Sequence, residues 1–254
     1  MQTWRLQEIT YKLVKESRYD VAVLPIGSTE PHNLHMPYGT DAITVTAVAD
    51  RACERASQAG GRVILLPTIP YGVNTNLLEF PLTISVTLKA LSGVLTEIVH
   101  SLDHHGIRKL ILLNGHGGNE CKAFLRDIHG QTGVFITAVD WWKIPNDIRR
   151  EVFEEDGDHA DEMETSVGLY LFPDLVHPED ADAGTVRSTR FDGINAGWAA
   201  ITRPWHLLTT NSGVGDPRKG TREKGERFVE VAVDRLARFI TELSNAEMDG
   251  TFPY

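Results

Sequence analysis

The chain has little of what would place it outside a reducing, watery compartment. It holds two cysteines, Cys53 and Cys121, far apart and without CxxC spacing. That count suits a reducing compartment, and both are expected as buried small hydrophobes. No stretch approaches about eighteen consecutive apolar residues, and the opening segment MQTWRLQEITYKLVKESRYD is broken by charge every few positions, which speaks against a membrane span or a leader. Basic charge is also short, with 25 Lys and Arg against 35 Asp and Glu and a formal net charge of -10. A nucleic acid or anionic membrane would therefore meet repulsion over most of the surface. Linkers, repeats and low-complexity tracts are missing as well. The expectation is a single domain over residues 1–254, cytoplasmic, with no nucleic acid or membrane partner.

What is present begins with short apolar runs closed by Gly or Pro: VAVLPIG from Val21, RVILLPT from Arg62 and KLILLNG from Lys109, with GVFITAVD from Gly133 of the same character. Each reads as a buried strand. Between them lie stretches of helical spacing, such as Leu88, Leu91, Leu95, Ile98 and Leu102, and Phe228, Ala232, Leu236, Phe239 and Leu243 form a closing amphipathic stripe. Strands apolar on both faces and joined by helices predict an α/β fold with a mainly parallel sheet between helices.

In such folds reactive groups gather beyond the carboxyl ends of strands. The segment after the first run, IGSTEPHNLHMPYGTDA, concentrates Glu30, His32, His35 and Asp41. Imidazoles and carboxylates without thiolate suit Zn²⁺ or Mn²⁺. Glu30 and His32 alternate on an extended segment, so they reach one ion only if the loop curls; two ions are more economical, with Asp41 placed to bridge them. After the third run, NGHGGNE brings His116 among glycines, including Gly117, that let backbone approach an ion or substrate. The loop lacks the lysine of a phosphate-binding GxxxxGK[ST], so nucleotide binding is not expected.

GDHADEMETSVGLYLF reads as a helix start with Met163, Val167, Tyr170 and Leu171 inward and Glu164 at the edge of that stripe, where a carboxylate needs a cation or several donors. His159, just ahead, is a capping neighbour or a general acid and base. Glu154, Glu155, Asp156 and Asp161 are expected on a solvated face. His100, His104, His105 and His129 sit near helix ends, a structural position. Trp141 and Trp142 either wall a substrate pocket or fill core.

The order of GSTEPHNLHMPYGTD, NGHGGN, HADEMETS and SGVGDPRKGTREKGE resembles the creatininase-type amidohydrolases over most of the chain. The first motif matches the family's GSxExHxxHxPxGTD. PYGVNTNLLEFPLTIS is similar to PYGxS followed by FPGTIS, with Asn74 and Leu82 as substitutions on the substrate side. The resemblance implies a three-layer αβα sandwich, commonly a hexamer, with two divalent ions per subunit, Zn or Mn or Fe. One ion would be held by Glu30, Asp41 and His116, the second by His32, the bridging Asp41 and a further carboxylate. In creatininase that last ligand lies two residues after the strand-end His, and here the position is Gly118. The role passes to Glu164, with Glu120 as fallback. His159 matches the histidine that hands a proton to the leaving group, although the family's HAG becomes His159-Ala160-Asp161.

The implied chemistry is hydrolysis of a C–N bond in a small cyclic amide by metal-activated hydroxide, with Asp41 and His159 catalytic and Asn74, Gly117, Trp141 and Trp142 toward substrate. Two alternatives stand beside it. The same centre could open a cyclic ketone such as a keto-inositol by C–C cleavage, or the protein could be a catalytically silent metal-binding scaffold subunit.

Overall fold

The computed structural model describes residues 4–254; residues 1–3 of the charge-interrupted opening segment lie outside the described residues. In chain order the elements are α1 (Tyr11–Glu16), β1 (Val21–Ile26), α2 (Thr40–Gln58), β2 (Val63–Leu65), α3 (Leu88–His104), β3 (Lys109–Asn114), α4 (Cys121–Ile128), β4 (Phe135–Asp140), α5 (Arg149–Val152), α6 (Glu162–Leu171), α7 (Asp192–Asn195), α8 (Trp205–Leu208) and α9 (Arg222–Asn245). All four apolar runs are strands, in the order β2-β1-β3-β4, and every pairing is parallel.

Alternate strand residues feed two apolar layers, as the pleat requires. Val21, Val23, Ile111 and Leu113 pack with α2 and α9, while Ala22, Leu24, Leu110 and Leu112 pack with α3 and α4. Leu91, Leu95, Val99 and Leu102 of α3 and Phe228, Ala232, Leu236 and Leu243 of α9 are buried, so both helical stripes face the sheet. The result is the three-layer αβα sandwich. The two edge strands differ: β2 is buried throughout, whereas β4 is half-buried throughout. Cys53 and Cys121 are buried and unpaired.

Pro25 lies in an inner strand, where a missing donor is normally excluded. Its carbonyl accepts from Ile69 N–H, so its nitrogen faces the β2 side, beyond Leu65 where that strand has ended. The ladder loses nothing there. Among the described residues no helix is long and apolar enough to cross a membrane.

The chain leaves β1 toward β2 on one side and returns to β3 on the other. The carboxyl ends of β1 and β3 therefore flank a switch point, the place where open α/β sheets form a crevice.

Candidate metal centre and active site

Two features bring the acids of the β1 loop to that crevice. At Gly27 an added Cβ would lie 2.5 Å from Ala42 Cα, so only glycine lets the strand end touch the first turn of α2, which carries Asp41. In the loop between, Glu30, His32, His35 and Asp41 are each at most 4% exposed, while Leu34 and Tyr38 face outward. His116 leaves the end of β3, and Glu164 sits in the first turn of α6.

Three histidines there are tied by one nitrogen to backbone. His32 Nδ1–H donates to the Glu30 carbonyl at 3.1 Å, His116 Nε2–H to the Val73 carbonyl at 3.2 Å and His159 Nε2–H to the Pro31 carbonyl at 2.8 Å. Such bonds fix the tautomer and leave the other nitrogen's lone pair inward. Each inward nitrogen then faces carboxylate oxygen. His32 Nε2 lies 3.2 Å from Asp41 Oδ1 and 3.9 Å from Glu164 Oε2. His116 Nδ1 lies 3.0 Å from Glu30 Oε1 and 3.3 Å from Asp41 Oδ2, and His159 Nδ1 lies 3.8 Å from Glu30 Oε1.

Lone pairs facing carboxylates in a dry site need a cation between them. Protons meet that need in the metal-free protein. Burial alone would push His32 down, but Asp41, Glu164 and Glu30 carry it up to about 10. His116 likewise rises well above its ordinary value, since Glu30 and Asp41 overcome its burial. The Asp41 carboxyl, despite burial, is held well below the usual carboxylate range by His32 and His116. Glu30 Oε2 and Asp41 Oδ2 remain without a well-aligned hydrogen bond. The ligand atoms of Glu30, Asp41 and His116 lie within 4.8 Å of one another, as do those of His32, Asp41 and Glu164 and those of Glu30, His32 and His159. Imidazole with carboxylate in this spacing fits a zinc- or manganese-type ion.

The structure separates the remaining candidates. His35 turns away, its Nε2 2.7 Å from Thr165 Oγ1, and its pKa falls to about 4 through burial and the neighbouring His32 charge. Glu120 is exposed and joins none of the ligand groups, whereas Glu164 does. Gly118 has no room for any side chain, since a Cβ would stand 2.4 Å from the Val73 carbonyl and 2.5 Å from His116 Nε2.

A cavity of about 500 Å³ opens beside these groups, and His159, Gly117 and Trp142 line it. Trp141 does not; it is 3% exposed and packs edge-on to Phe228 in the core at 6.1 Å. Asn74 also lies apart from this wall, fully buried, its amide donating to Ser28 Oγ at 2.6 Å and the Ile84 carbonyl at 2.9 Å. Asp161, expected on a solvated face, is 1% exposed. It caps α6, accepting from Glu164 N–H at 2.9 Å, while Glu164 Oε2 accepts from Ala160 N–H at 2.5 Å. Glu164 thus turns back to the amide just ahead of the cap, in a close variant of the capping box, and the Asp-x-x-Glu spacing was its signal in the sequence. Arg149, Arg203 and Trp205 also line the cavity; they lie in stretches without a motif.

The family model described as Creatininase: Creatinine amidohydrolase matches residues 7–240. The chain belongs to the creatininase family. Among its relatives, the creatinine amidohydrolase of Pseudomonas putida is 28% identical over 243 residues, 87% of this chain and 89% of that protein. The 3-dehydro-scyllo-inosose hydrolase of Thermotoga maritima is 27% identical, covering 97% of this chain and 86% of the other. A crystal structure from Bacteroides fragilis, provisionally assigned as a creatinine amidohydrolase, superposes with a TM-score of 0.91 at 38% identity, over 98% of this chain and 100% of that one. As a creatininase-family member the chain is a metal-dependent hydrolase.

Proposed function

We propose that this creatininase-family enzyme hydrolyses a C–N bond of a small cyclic amide at a binuclear metal centre. The observation that carries the reading is the placement of Asp41. Its Oδ1 faces His32 and its Oδ2 faces His116, so a single carboxylate is shared by two ligand sets. Glu30, Asp41 and His116 would hold one ion, and His32, Asp41 and Glu164 the other. When bound, such ions supply Lewis acidity, polarising a carbonyl and acidifying water.

The chain's own residues supply proton transfer and enclosure. His159 Nε2–H is occupied by the Pro31 carbonyl, which also accepts from Ser212 Oγ at 3.0 Å. Nδ1 is therefore the atom that takes a proton and returns it to the departing nitrogen. The ring is held between His32, at 4.3 Å between centroids, and Trp205, at 5.0 Å. Trp142, Trp205 and Met163 give the cavity apolar wall, which limits bulk water around the scissile bond.

A second reading, opening of a cyclic ketone by C–C cleavage, is supported by the near-complete coverage of the Thermotoga maritima relative. Metal content per subunit, measured by elemental mass spectrometry for wild type and Glu164→Gln, tests the centre. Close to two equivalents, falling in the variant, is expected; substoichiometric metal in reconstituted wild type would overturn the binuclear reading. Assays on cyclic amides against oxidised inositols then separate the two reactions.

A further inference from the structure

We infer that the substrate amide carries a carboxylate, received by the guanidinium of Arg149; this rests on the amidohydrolase reading and narrows its substrate class. Arg149 begins α5, lines the catalytic cavity, and its side chain is 20% exposed. A single nitrogen, Nη2, is engaged: it donates to Asp161 Oδ2 at 3.0 Å and to the Gly157 carbonyl at 3.3 Å. Among the described residues Nε–H and the Nη1 donors have no protein partner. Those donors have no protein acceptor to give up, so an anion entering the cavity can take charge-assisted bonds from them in place of water.

The anchoring is rigid. Asp161 is buried and is itself fixed as the cap of α6, the helix whose first turn carries Glu164. Arg149 is therefore oriented before substrate arrives and loses little freedom on binding. Charge points the same way. The cavity's carboxylates are Glu30, Asp41, Glu164 and Asp158, of which the first three are ligands of the centre and Asp158 pairs with Arg203. Arg203 also lies over the Trp205 ring at 4.8 Å, adding a second guanidinium to the wall. Each lining cation has an acidic partner, Asp161 for Arg149, Asp158 for Arg203 and Asp140 for Lys143, and Arg149 is the least exposed of the three, where a charge-assisted bond is least screened. A carboxylate accepts charge-assisted bonds that a neutral amide substituent cannot match.

The test uses pairs that differ by one carboxylate: pyroglutamate with 2-pyrrolidinone, and dihydroorotate with dihydrouracil. Binding to zinc-loaded enzyme is measured by calorimetry, and hydrolysis in parallel. The carboxylated member should bind at least about tenfold more tightly, the size of a charge-assisted bond. That preference should shrink in Arg149→Lys and vanish in Arg149→Met combined with Asp161→Asn, which removes both partners and leaves no buried lone charge. Equal binding in wild type, or a preference that survives loss of Arg149 and so comes from direct metal coordination, would overturn the inference. Tighter, Arg149-dependent binding of inorganic phosphate would move the anion from carboxylate to phosphate and also overturn it. Hydrolysis confined to the neutral members overturns it while leaving the amidohydrolase reading intact. Arg149-dependent carboxylate binding without hydrolysis of any amide does the reverse.

Discussion

Loading the metal-free protein with ions should release protons in a number set by the geometry of the site. The inward nitrogens of His32 and His116 face carboxylates that raise both pKa values, His32 to about 10 and His116 well above its ordinary value, so both rings are expected to carry protons near neutral pH before metal binds. An ion needs the lone pair that each proton occupies, so filling both sites should expel about two protons per subunit. Because a group titrating near 10 stays almost fully protonated at pH 8, the count should hold between about pH 7 and 8. Apparent affinity should rise about tenfold per pH unit for each proton displaced. The metal-free fold responds in the opposite direction. A folded-state pKa above the unfolded one contributes stability that is complete below about 6.5 and is lost as pH rises through about 10. Metal-free protein should thus weaken toward alkaline pH while loaded protein does not. Calorimetric titration with zinc in buffers of different ionisation enthalpy gives the proton count directly. Fewer than about half a proton per ion would refute the reasoning, because neutral rings in the empty site would mean that no cation is required there.

Asp41→Asn keeps the shape of the side chain but removes the charge shared by both ligand sets; metal should fall below two equivalents and turnover should be abolished, and full activity would remove Asp41 from the bridging role. His159→Gln should lower kcat by roughly 10² to 10⁴, the usual worth of a general acid, while leaving metal content unchanged, and an unaltered kcat would show that the leaving group is protonated elsewhere. Gly118→Ala places a methyl against the Val73 carbonyl and the His116 ring. It should cost about 1–3 kcal/mol in urea unfolding of the metal-free protein, and a neutral result would mean that the loop is free to move away.

How much of this was legible beforehand follows from what each signal depends on. Strand identity depends on local apolar runs, and all four runs became parallel strands. The first loop was legible because Glu30, His32 and Asp41 lie within one short segment, which folds back through the contact at Gly27. Trp141 and Trp142 could not be told apart, since adjacent residues point to different sides and only the finished packing shows that Phe228 claims the first. Arg149 was missed for a related reason. Its place in the cavity comes from Asp161 and the Gly157 carbonyl, and an isolated arginine among arginines carries no local mark.

Asp161 joins the legible and the illegible parts of the site. As one acid in EEDGDHADEME it reads as solvated, since a run of acids is normally exposed. Its spacing to Glu164 is also that of a reciprocal helix cap, and the cap won because burial of α6 left the backbone N–H groups of its first turn in need of an acceptor. Two consequences follow from the same side chain. One oxygen accepts from the Glu164 N–H, on the residue proposed as a ligand of the second ion, and the other accepts from Arg149 at the cavity wall. If Glu164 serves as a ligand, as proposed, the side chain that caps its helix is also the one that anchors the guanidinium of Arg149. Asp161→Ala should accordingly disturb both at once, lowering metal content and the preference for carboxylated ligands together. Loss of either property alone would show that the two halves of the site are held independently.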